Sequence, residues 1–196
     1  GPEGWTTFSV PVKLAGNQRV LGDILDPDDV AIAYRFDTAA QYWQQIGEQD
    51  LIKPLDAIYV KLNKNATKAR IKPTTEITTP PSLDLLKGWN LFGPTNNRDL
   101  AATLSAVEGH WAAVVSPSIN ASIPMPFPQV WAATPADSDL QEYYVANHYG
   151  YWLYMNDPDT LLGFNTTPLK AGNYRSPLDY SDPFCGSGGG GGSGGW

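Results

Sequence analysis

Apolar positions along this chain recur in short alternating runs broken by proline, glycine and Asn/Asp, the period-2 signature of half-buried strands. "TTFSVPV" and "NLFGP" read as strands that stop at proline, and "VAIAYRF" and "QYWQQI" flank "DTAA" as a hairpin. "AIYVKL" with "TKARI", and "GYWLYM" with "TLLGF" around the turn residues "NDPD", are expected to pair in the same way. Helical spacing is confined to two places. "NNRDLAATLSAV" offers Asn and Asp as caps and sets Leu100, Leu104 and Val107 on one face, and "NQRVLGDIL" places Val20, Ile24 and Leu25 similarly. The expected fold class is mainly β with short helices, an α+β arrangement.

The elements come in the same order twice. Gly4-Trp5 aligns with Gly88-Trp89, Trp43 with Trp131, Asp50-Leu51 with Asp139-Leu140, and Ile58-Tyr59-Val60 with Tyr151-Trp152-Leu153. The offset grows from 84 residues at Gly4/Gly88 to 93 at Ile58/Tyr151, which puts insertions in "SPSINASIPMPFP" and before "GYWLYM". A fixed order of landmarks is the mark of internal duplication. The expected organisation is two tandem, internally duplicated small β modules plus an extended tail. They are a first β-rich repeat over 1–72, a Thr/Pro-rich connector over 73–84, a second repeat over 85–170 and a tail over 171–196 with a Gly-rich end.

Composition narrows the function. The net charge of −7 argues against nucleic acid and anionic membrane surfaces, and no apolar stretch is long enough to span a bilayer. Cys185 is the only cysteine, so no disulfide closes within the chain; it reads as a bystander or as an intermolecular link. Neither His110 nor His148 has zinc-ligand spacing, and no nucleophile or phosphate-loop motif occurs, so no catalytic residue is expected. Asp23, Asp26, Asp28 and Asp29 crowd one turn, and "NDPDT" gathers Asp157 and Asp159; they read as a calcium loop or as solvated turns with helix caps. Asn65, Asn120 and Asn165 stand in N-glycosylation patterns, which mark surface loops. Trp5, Trp89, Trp111, Trp131 and Trp152 read as core anchors. In "HYGYWLY" alternation sets Tyr149, Tyr151 and Leu153 on one face and Gly150, Trp152 and Tyr154 on the other. Tyr149, Tyr151, Trp152 and Tyr154 are therefore candidate contact aromatics for core, subunit or glycan.

Gly88, Trp89, Asn90 and Leu91, then Trp131, then Tyr151, Trp152 and Tyr154 form a pattern that resembles a module common in secreted bacterial and archaeal surface proteins. The first copy departs from it, since "GWTTFSV" lacks Asn-Leu and "DAIYVKL" has Tyr59 for Trp. The resemblance implies an extracellular or cell-surface setting, a structural role without catalytic residues, and a glycine-rich spacer near the C-terminus. A self-assembling subunit of filament or surface-layer type is the function expected first. Its tail would dock on a neighbour through Phe184, Cys185 and Trp196, because a glycine strip can approach another backbone closely. An adhesion or carbohydrate-binding module using exposed aromatics is the alternative, with a glycan or a surface protein as partner.

Overall fold

The computed structural model describes residues 4–16, 19–63, 68–75, 79–117 and 131–163. The first half of the chain forms β1 (Trp5–Ser9), α1 (Leu21–Ile24), β2 (Val30–Asp37), β3 (Tyr42–Ile46) and β4 (Ala57–Leu62). The second forms β5 (Ser82–Leu85), β6 (Gly88–Phe92), β7 (Arg98–Asp99), α2 (Leu100–Thr103), β8 (Trp111–Ser116), β9 (Trp131–Ala133), β10 (Tyr144–Val145), β11 (Tyr151–Met155) and β12 (Asp159–Leu162). The protein is mainly β, with several antiparallel sheets and, among the described residues, two one-turn α-helices.

Two four-stranded sheets carry the architecture, in the orders β1-β4-β2-β3 and β6-β11-β8-β9. Counted from the first strand of each, both orders are first-fourth-second-third. A one-turn helix precedes the second strand in each half, and Asp99 caps α2 by accepting a hydrogen bond from the Ala102 N–H at 2.7 Å. Each sheet buries one face. Phe8, Val10, Ile24, Leu25, Ile58 and Val60 build the first core, and Phe92, Leu100, Leu104, Val114, Leu153 and Met155 the second. Burying each such side chain contributes about 1.5–3 kcal/mol, so strand alternation and core formation are one process. Leu55, from the first half, completes the second core.

Two expected hairpins are replaced by longer-range pairing. β4 lies between β1 and β2, so both its edges are taken and the stretch from Lys68 to Ile71 runs as irregular chain, held by the Arg70 N–H to Ile24 carbonyl bond at 2.7 Å. β11 is likewise enclosed by β6 and β8. The turn after it bends onto the His110 carbonyl, which accepts the N–H of Asn156 at 2.8 Å, and β12 leaves to pair with β5. The helices are also shorter than the spacing suggests: α2 ends at Thr103, and Ser105–Val107 is a 3-10 turn.

Pairing also revises two landmarks. Ala33 faces Ile46 and Val60, while Val114 faces Ala133 and Leu153, so the positional counterpart of Trp131 is Gln44. Trp43 is one residue away and on the opposite face, because a slip of one inverts every side chain of a strand. Leu51 bridges to Val20 and Tyr144 pairs with Asp99, which makes Tyr143-Tyr144 the counterpart of Asp50-Leu51 in place of Asp139-Leu140.

Candidate binding surface

The faces that the two sheets do not bury in their cores carry the aromatic residues. On the first sheet, alternation sends Trp5 from β1, Tyr59 and Lys61 from β4, Tyr34 and Phe36 from β2, and Trp43 and Gln45 from β3 to this side. On the second it sends Trp89 and Leu91 from β6 and Trp152 and Tyr154 from β11. Phe36, Trp43, Tyr59, Trp89, Trp152 and Tyr154 meet as one continuous ring cluster, and Trp5 and Tyr34 pair with each other on the same side. Trp152 is the hub: its ring centroid lies 4.9 Å from Phe36, 5.5 Å from Trp43, 6.1 Å from Trp89 and 6.4 Å from Tyr59. Its indole N–H donates to the Tyr59 hydroxyl at 3.3 Å. Most contacts are edge-to-face, the arrangement that ring quadrupoles favour.

At the first-sheet end the cluster opens into a groove of about 310 Å³ lined by Trp5, Tyr34, Trp43 and Tyr59. Trp5 and Tyr34 lie nearly parallel, 6.0 Å apart with 29° between planes, while Trp43 stands edge-on to Tyr59 at 5.2 Å. Trp43 remains 42% exposed, a large value for a residue that is highly buried on average. Burial raises the Tyr59 hydroxyl above the usual tyrosine range, against the opposing effect of the Trp152 hydrogen bond, so the groove presents a neutral phenol. Among its counterparts in the second half, Val115 and Ala132 stand where the first half has Tyr34 and Gln45. Smaller side chains there leave no matching wall.

Gln41, in the turn between β2 and β3, ties the first half to β6 beside the aromatic cluster. Its side-chain amide mimics a peptide: Nε2 donates to the Trp89 carbonyl at 2.9 Å and Oε1 accepts the Trp89 N–H at 3.2 Å. Gly88, at φ +98, comes close enough that an added Cβ would stand 3.2 Å from that Oε1.

The residues singled out in the sequence fall on both sides of this surface. Tyr149 and Tyr151 are buried with Leu153, and the Tyr151 hydroxyl, pushed up to about 12 by burial, accepts the Ala146 N–H at 2.8 Å. Trp152 and Tyr154 lie half-buried on the aromatic side. Trp111 and Trp131 are core residues, whereas Trp5, Trp89 and Trp152 belong to the aromatic surface. Asp26 is used locally, accepting from the Asp28 N–H and pairing with Arg70 at 2.8 Å, and Asp29 accepts through its carbonyl from the Asn63 N–H. Asp23 lies exposed on α1, and no group of three or more His, Cys, Asp or Glu placed to hold a metal ion occurs among the described residues. His110 Nδ1 lies 2.7 Å from Asp159, whose carboxyl is held below the ordinary range by the Thr160 N–H and then by His110. Phe184, Cys185, Trp196, Asn65, Asn120 and Asn165 lie outside the described residues. Tyr34, Phe36 and Trp43 escaped the sequence reading as contact residues, although the alternation of "VAIAYRF" already set Tyr34 and Phe36 on one side.

The class these observations define is a mainly β protein that spends its spare sheet faces on an aromatic surface. No family model, curated protein sequence or solved structure matches the chain.

Proposed function

We propose that the chain is a non-enzymatic extracellular or cell-surface protein, built of two tandem copies of one β module, that binds a neutral sugar chain in its aromatic groove. The observation that carries this reading is the groove itself. Four rings converge on a site of about 310 Å³, at the low end of the roughly 300–1,000 Å³ usual for ligand sites, on a face neither core uses. Sugar rings present apolar C–H faces that stack on indole and phenol planes. The Tyr34 hydroxyl, Gln45 and Lys61 supply polar groups on the same side. The shared strand order and the resemblance described above support the two-copy and cell-surface parts.

The test is calorimetric titration with neutral oligosaccharides of the native protein and the Trp43→Ala variant. Binding weakened by about two- to twelvefold, the loss expected when one ring contact of about 0.5–1.5 kcal/mol is removed, supports the reading. Titration curves that Trp43→Ala leaves unchanged overturn it.

Self-assembly is the second reading. Among the described residues it draws on β3, an edge strand with Tyr42 and Trp43 exposed, the kind of edge that accepts a neighbouring strand. Tail docking through Phe184, Cys185 and Trp196 is tested by light scattering of the chain with and without residues 186–196. Equal masses for the two forms would rule out that role for the tail.

A further inference from the structure

The two halves meet along a seam formed by Thr7, Ser9 and Ala57 on one side and Leu91, Gly93 and Gly150 on the other. Its contacts come in reciprocal pairs. The Ser9 N–H donates to the His148 carbonyl at 2.9 Å, and the Gly93 N–H donates to the Leu55 carbonyl at 2.8 Å. Strand register makes Ser9 the counterpart of Gly93 and Leu55 the counterpart of His148, because Thr7 faces Tyr59 as Leu91 faces Trp152, and Trp5 faces Lys61 as Trp89 faces Tyr154. The second bond is thus the image of the first. Leu55 and His148 also share an uncommon backbone, at φ 69 and φ 71, in which their carbonyls turn toward the opposite half.

A residue can touch its own counterpart only near a two-fold axis. Two such pairs occur here. A Cβ added at Gly93 would collide with Ser9 Cβ, and one added at Gly150 would stand 2.7 Å from Ala57 Cβ, nearer than real Cβ contacts allow. Each self-facing pair has room for one side chain, and in both the second half supplies the glycine.

We propose that the seam is a two-fold, dimer-type interface closed within one chain, and that Gly93 and Gly150 make the room in it for Ser9 and Ala57, so that a first half pairs with a second half and not with another first half. The inference rests on the two-copy reading above. Its partner chemistry is self-complementary backbone and small side chains, as in isologous homodimers. Two first halves would set Ser9 on Ser9 and Ala57 on Ala57, which the spacing forbids. The surface of the second half therefore accepts a first half and selects it by shape.

The test compares four full-length proteins by thermal melting and tryptophan emission: native, Ser9→Gly, Gly93→Ser, and the exchanged double variant Ser9→Gly with Gly93→Ser. Overpacking at a closed contact costs about 1–3 kcal/mol, so Gly93→Ser is expected to lower Tm by roughly 3–10 °C and alter the emission of the Trp152 cluster. The exchanged variant, which moves the serine to the image position, is expected to return to within roughly 2 °C of Ser9→Gly or above it. Should Gly93→Ser not fold, recovery of the exchanged variant decides the matter alone. An unchanged Tm in Gly93→Ser overturns the contact. A low Tm in both Gly93→Ser and the exchanged variant overturns the two-fold equivalence while leaving the contact. None of these outcomes bears on sugar titration, so failure of the groove assignment is read separately.

Discussion

His148 shows what one residue's surroundings impose. It is 2% exposed, and burial lowers its pKa to about 3, against the opposing effect of a hydrogen bond between its ring and the Ser9 backbone. The ring is neutral in the folded protein. In the unfolded chain it titrates near 6.5, so between about pH 6.5 and 3 the unfolded state holds more protons and stability falls as pH falls. The full effect is on the order of 5 kcal/mol, reached near pH 3. Urea midpoints measured from pH 7 to pH 4 should decline, and His148→Leu, which repeats the residue of its counterpart Leu55, should flatten that decline. At the same scale Asp99→Ala removes the α2 cap and should cost about 1 kcal/mol in urea unfolding. The cap was legible in the sequence because an Asp before an apolar helical run has a local partner. The buried His148 was not, since nothing adjacent to it in the chain supplies its surroundings.

Strands show a different division. Alternation in "HYGYWLY" separates Tyr151 and Leu153 from Trp152 and Tyr154, and the structure buries the first pair in the second core. Leu153→Ala should therefore cost about 2–5 kcal/mol, whereas Leu162→Ala, at a position 47% exposed, should change stability by less than about 0.5 kcal/mol; denaturant titration of both checks the contrast. Period alone gives the two faces of a strand but not its neighbours. The sequence therefore suggested a hairpin for β11 and β12, while β11 pairs with β6 and β8. The same limit explains the Trp43 and Trp131 landmarks. Both stand in short aromatic strands, and only the pairings of Ala33 and Val114 reveal that they point to opposite sides.

For the whole molecule, the decisive contacts join the halves. Gln41 is the exposed clamp on the Trp89 backbone, so Gln41→Ala should cost about 0.5–1.5 kcal/mol per hydrogen bond lost and shift tryptophan emission to the red as the Trp89 edge of the cluster loosens. An unchanged spectrum would show that the ring cluster holds the edge without it. The candidate site was legible in part: alternation set Trp152 and Tyr154 on one face of their strand and Tyr149 and Tyr151 on the other without telling which is exposed, and Trp5, Tyr34 and Trp43 join the surface from strands far apart in the chain. By itself the sequence determined the β class, the positions of most strands and which faces are apolar, because these depend on periodicity and on residues within a turn of one another. Tertiary structure alone decided the strand orders, the joining of two sheet faces through Trp152, and the fit of Gly93 against Ser9. Those depend on which distant surfaces pack together, and packing is settled by shape and hydrogen bonding across the seam, for which a linear pattern carries no coordinate.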